Sequence, residues 1–125
     1  MKLEDQVASL ELAKELKELG VKQDSIFYWW RSQDMGWLLL YNPATIYRTE
    51  AYSAFTVGEL GEMLPSNAHF FVATEHSKYL AYCDAHKEVA ITEADARAKL
   101  LIFLRSGRSD GDIRAKEAIK RGIKA

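Results

Sequence analysis

The sequence predicts a single α+β domain in which a mainly antiparallel sheet packs against two main helices and one short one. Three observations carry that expectation. Amphipathic helical repeats occur near each end, at 9–19 and 92–106. Between them lie short runs rich in aromatic and β-branched residues, separated by polar or glycine-containing joints. A short segment with a helix-start signature, 56–65, interrupts those runs.

The first helix is predicted over 9–19. Leu10, Leu12, Ala13, Leu16 and Leu19 share one side at 3.6 residues per turn, and Glu11, Lys14, Glu15 and Glu18 share the other. Ser9 is placed to cap its free N–H groups, and Gly20 to take the left-handed conformation at its end. "SIFYWW" (25–30) then reads as a strand, because branched and aromatic side chains suit a pleated surface. "RSQDMG" and "WLLLYN" follow as the turn and return strand of a hairpin. Pro43 ends that strand, and 45–55 alternates weakly, as a further strand or an irregular edge would.

"TVGELGEMLP" opens the second helix, 57–64. Thr56 with Glu59 three positions on is a capping box, Leu60, Met63 and Leu64 form its apolar side, and Pro65 stops it. Gly58 and Gly61 weaken it, so it must lean on a neighbour. "HFFVATE" and "YLAYCDA" read as a second hairpin, and "EVAIT" as one more short strand. Thr92 and Asp95 repeat the capping signature for the last main helix. There Ala94, Ala98, Leu101 and Leu104 form a stripe joined by Leu100 and Phe103, and Glu93–Arg97 and Asp95–Lys99 are acid-then-base pairs at i, i+4. The expected sheet has four to six strands, and residues 1–107 form the domain. Residues 108–125 form a basic tail or marginal helix: from Arg105 onward, seven bases face three acids, a net +4, and no large apolar face is present.

At 125 residues the chain is long enough to bury a core, and its 48% apolar and 28% charged residues are those of a globular protein. A formal net charge of −1 leaves no global footprint for nucleic acid or anionic membrane. No apolar run reaches the length of about 20 residues that a membrane helix needs, and the acidic start lacks a signal-peptide pattern. One cysteine, Cys83, fits a reducing compartment, so a cytoplasmic location is expected.

The aromatic run is the feature richest in functional meaning. In a strand, Ile26, Tyr28 and Trp30 point one way and Phe27 and Trp29 the other, so both faces are apolar. Either this is a central strand covered on both sides, or one face is a platform that stacks a base, a sugar or a protein. Trp29, Trp30, Trp37, Tyr41 and Tyr47 are the candidate binding residues on the second reading. A homodimer would also cover two apolar faces. Few bases interleave with these rings, so a nucleic-acid site falls instead on the tail, at Arg108, Arg114, Lys116, Lys120 and Arg121.

Catalytic signatures are sparse. His69, His76, Cys83 and His86 lie within 18 residues, but their spacing matches no zinc pattern, and period-2 geometry sends His69 and His76 to opposite faces. Cys83 with His86 would serve a hydrolase only if the fold brought them into hydrogen-bond reach. Neither phosphate-binding glycine pattern occurs. No metal or cofactor is therefore expected. The leading expectation is a non-enzymatic protein-binding or accessory module; nucleic-acid binding through the tail and a small hydrolase or metal-dependent enzyme are the alternatives.

Three blocks together, "SLELAKELKELG", "TVGELGEMLP" and "EADARAKLLI", resemble a family of small bacteriophage and prophage proteins. The resemblance implies a mobile-element origin, a bacterial host cell and a small α+β domain. It implies no activity, ligand or site residue.

Overall fold

The computed structural model describes residues 2–41, 51–73 and 78–106. They form an α+β fold with two three-stranded antiparallel sheets, where the sequence suggests one sheet of four to six strands. Chain order is a 3-10 turn at Leu3–Gln6, α1 at Leu10–Glu18, β1 at Phe27–Ser32, β2 at Gly36–Tyr41, β3 at Ala51–Ala54, α2 at Val57–Met63, β4 at His69–Ala73, β5 at Lys78–Cys83, β6 at His86–Ala90 and α3 at Glu93–Ser106. The first sheet has the order β2-β1-β3 and the second β4-β5-β6.

The local signals explain most of these boundaries. Gly20 ends α1 with φ +83°, and Gly36 closes the β1–β2 turn with φ +72°. In that turn Ser32 Oγ accepts from Met35 N–H at 2.8 Å and donates to Gly36 O at 2.9 Å. At α2 both capping-box bonds form: Thr56 Oγ1 accepts from Glu59 N–H, and Glu59 Oε1 accepts from Thr56 N–H. The same carboxylate reaches Ile26 N–H through Oε2 at 3.1 Å, which ties the entry of β1 to α2.

Other local expectations give way to tertiary partners. Ser9 makes no side-chain cap on α1; its backbone N–H instead donates to Asp95 Oδ1 at 2.8 Å. Asp95 is thereby taken from both of its expected roles, completing a capping box with Thr92 and pairing with Lys99. Thr92 Oγ1 still accepts from Asp95 N–H, and Lys99 Nζ donates to Val89 O at 3.0 Å. The hairpin expected to keep Asp84 and Ala85 within a strand turns there, since Asp84 adopts φ +54°, a conformation its short polar side chain tolerates.

Helix α1 packs on β3 of the first sheet and on α3, α2 packs on α3, and α3 packs on β5 and β6 of the second sheet. Register and alternation put Phe27, Trp29, Trp37 and Tyr52 on one face of the first sheet. Lys14 and Lys17 of α1 lie over that face, with Lys14 Nζ 5.1 Å from the Trp37 ring and Lys17 Nζ 5.0 Å from the Tyr52 ring. Lys14, on the polar side of α1 in the sequence pattern, sets its ammonium over aromatic surface. On the opposite sheet Phe70, Tyr79, Ala81, Cys83 and Ala90 face α3.

The helix α3 is the centre of the core. Ala94, Ala98 and Leu101 are buried on one side, as the repeat predicts, but Ala96 and Leu100 are equally buried about half a turn away. Phe103 stacks on His86 of β6 with ring centroids 3.4 Å apart, which fixes that second side against the sheet. Alanines allow this close approach on both sides. Phe55, Leu16, Leu60, Leu100 and Leu101 are the large side chains of the core cluster.

One buried group runs against this economy. Ser53 is fully buried, and its Oγ has no hydrogen-bond partner among the described residues, although its N–H donates to Gln23 Oε1. Removing an unpaired buried hydroxyl relieves its desolvation cost. Ser53→Ala is expected to stabilise the fold by about 1 kcal/mol in urea unfolding, and a loss of that size would reveal a bond to this hydroxyl.

Candidate functional site

No helix among the described residues is long and apolar enough to cross a membrane, and no group of three or more His, Cys, Asp or Glu residues among them could hold a metal ion. Of the residues singled out for catalysis, Cys83 and His86 are neighbours and His69 lies apart from them. Cys83 is buried with Sγ 3.7 Å from Asn67 Oδ1. His86 is its cross-strand partner, but the imidazole lies flat on Phe103 with Nε2 3.4 Å from Glu88 Oε2. His69 is exposed on the other face of the sheet. His76, Tyr47 and the basic residues Arg108, Arg114, Lys116, Lys120 and Arg121 lie outside the described residues.

The aromatic strand behaves as alternation predicts, and it divides the candidate binding residues. Trp29 and Trp37 are on the inner face of the first sheet. Trp29 Nε1–H donates to Ala8 O at 2.8 Å, and the Trp37 ring is tilted against Tyr52 beneath Lys14. Trp29 ties the sheet to the segment before α1, and Trp37 ties it to α1 itself. Trp30 is half-buried on the opposite face with Leu38 and Leu40, a face that also carries the buried Ala51 and Ser53. Tyr28, on that same face, is buried, and its hydroxyl accepts from Ser25 N–H and donates to Gln23 O. Tyr41 is 73% exposed at the strand end, edge-on to Phe27. The structure therefore brings Trp30, Leu38 and Leu40 together, and sets Trp29 and Trp37 apart from them.

A cleft of about 490 Å³ opens between the inner faces, lined by Leu3, Asp5, Phe27, Tyr79, Ile91 and Glu93 among others. Three of its polar side chains already have structural work. Thr56 caps α2, Thr92 caps α3, and Glu93 Oε1 holds Arg97 Nη2 at 3.0 Å.

The second sheet presents a surface that the sequence reading missed. On its outer face Phe71, Leu80, Tyr82 and Val89 form an apolar centre across all three strands. Phe71 is 56% exposed and meets Tyr82 edge to face at 5.6 Å. His69, Lys78 and Lys87 are exposed around it, and no carboxylate of β4, β5 or β6 shares this face, because Glu88 points inward to His86. The adjoining strand β4 is a sheet edge, and it also exposes Val72 at 61%. An uncharged, proline-free edge of this kind is open to pairing. The signal lay in "HFFVA" and "KYLAYC", where both strand parities are apolar; pattern alone could not say which parity α3 would cover.

No family model, no curated protein and no solved structure matches the chain.

Proposed function

We propose that the protein is a non-enzymatic protein-binding or accessory module whose contact surface is the outer face of the β4-β5-β6 sheet. One observation supports this above the rest: Phe71, Leu80, Tyr82 and Val89 form a continuous apolar sheet face whose edge aromatic is more than half exposed, while α3 already fills the inner face. A sheet face of this composition gains free energy when another surface covers it. Lysines at its rim fit the anatomy of a protein interface, with an apolar centre and a polar margin.

A photo-crosslinking amino acid at position 71 tests the reading in the cells that make the protein. Discrete protein adducts are expected from Phe71, and they should disappear when Val89→Lys is added. Absence of adducts, or the same adducts from a crosslinker at the exposed Glu11 of α1, would remove this face as the contact surface.

A further inference from the structure

We infer that the outer face of the β4-β5-β6 sheet takes an amphipathic helix with acidic flanks, contributed by a partner protein. This rests on the protein-binding reading above and names the chemistry of the partner.

The argument is one of shape and sign. The apolar row Phe71–Leu80–Val89 crosses three strands, a width of about 10 Å, which matches the diameter of one helix. Along the strands, Lys78 and Tyr82 are four residues apart, about 14 Å, and that length accommodates about nine residues of helix. Bases stand at both ends of this footprint: Lys78 at one and Lys87, beside Tyr82, at the other. Asp84, in the adjoining turn, accepts from Asn67 Nδ2 at 3.2 Å.

Other occupants fit less well. Two copies of this face apposed to each other would bring together like charges from Lys78 and Lys87, with no carboxylate of β4, β5 or β6 between them. The chain's own C-terminal stretch from Arg105 carries a net +4 and has the wrong sign. A single-stranded nucleic acid matches the sign, but it prefers ring faces laid open for stacking, whereas Phe71 and Tyr82 meet edge to face at 77° and the centre of the face is Leu80 and Val89.

Selection of a random 16-residue peptide library against the whole protein tests the inference. The expected winners carry an apolar helical stripe flanked by Asp or Glu, and they shift the amide resonances of Phe71, Leu80, Tyr82 and Val89. In the Lys78→Glu, Lys87→Glu double variant their affinity should fall about tenfold, and reselection should favour Lys and Arg. Both sites are exposed, and circular dichroism checks that the variant keeps its fold. Peptides that bind this face with no preference for acids, or that keep their affinity in the double variant, would overturn the acidic partner while leaving the contact surface standing. Winners that map elsewhere would overturn both. Tighter binding of a fluorescein-labelled 12-mer of deoxythymidine to this face at physiological salt would assign it to nucleic acid instead.

Discussion

Replacing Phe55 by alanine is expected to destabilise the protein by about 4 kcal/mol, a large part of the 5–15 kcal/mol that holds a typical domain folded. The residue lies between β3 and α2. It is 2% exposed and belongs to the cluster that includes Leu16 of α1, Leu60 of α2 and Leu100 and Leu101 of α3. Its carbonyl also accepts from Ala8 N–H at 2.9 Å, so the backbone on either side of the ring is anchored. A site tied in this way collapses poorly around a cavity, which places the cost toward the upper part of the range for such truncations. Phe71→Ala is the natural contrast. That ring is more than half exposed, and its loss should change stability by no more than about 0.5 kcal/mol. Urea unfolding of the two variants, with the slope unchanged, measures the difference. Equal costs would mean that Phe71 is buried in the folded protein and that the outer sheet face is not open.

The second large effect centres on Arg97. Its side chain is only 16% exposed. Nη1 donates to Val57 O at 3.2 Å, Nη2 to Glu93 Oε1 at 3.0 Å, and the guanidinium carbon stands 3.8 Å over the Phe70 ring. One planar cation thus joins α2, α3 and β4. Charge-assisted bonds, the cation–π contact and the buried stem together suggest a loss of about 3 kcal/mol for Arg97→Ala. Arg97→Lys should recover little, because an ammonium cannot span the two acceptors and lie flat on a ring.

Gly61 supplies a more discriminating test. A Cβ there would lie 2.5 Å from Arg97 Nη1. Alanine normally improves a helix position over glycine by about 1 kcal/mol. Here it must displace a guanidinium held on three sides, so the clash wins and Gly61→Ala should cost about 1 kcal/mol in the wild-type background. With Arg97→Ala already present, the same substitution should stabilise by about 1 kcal/mol. A double-mutant cycle reads this sign reversal directly, and additive effects would show that Arg97 does not occupy the space above Gly61.

Much of the local structure was legible because it depends on neighbours in sequence. The α1 repeat, the Thr56–Glu59 box, the Glu93–Arg97 pair and the alternation of Phe27, Tyr28, Trp29 and Trp30 are set by helical and strand geometry over a few residues. The candidate surface was less legible. Trp29 and Phe71 are both aromatic residues in apolar strands, yet one hydrogen-bonds Ala8 O just ahead of α1 and the other faces outward. Which strand parity a helix covers depends on how distant segments pack, and no local pattern encodes it.

The same division holds for the whole fold. The order and type of the three helices and of every strand but β3, the caps at Thr56 and Thr92 and the left-handed glycine after α1 were determined by the sequence itself, since each arises from steric and hydrogen-bond rules spanning fewer than about five residues. Only the tertiary structure decided that the six strands form two sheets, that Ala96 is as buried as Ala98, and that Asp95 serves Ser9 in place of its own helix. Those outcomes follow from close packing on both sides of α3, where side chains brought together from distant parts of the chain compete for the same space and the same hydrogen bonds.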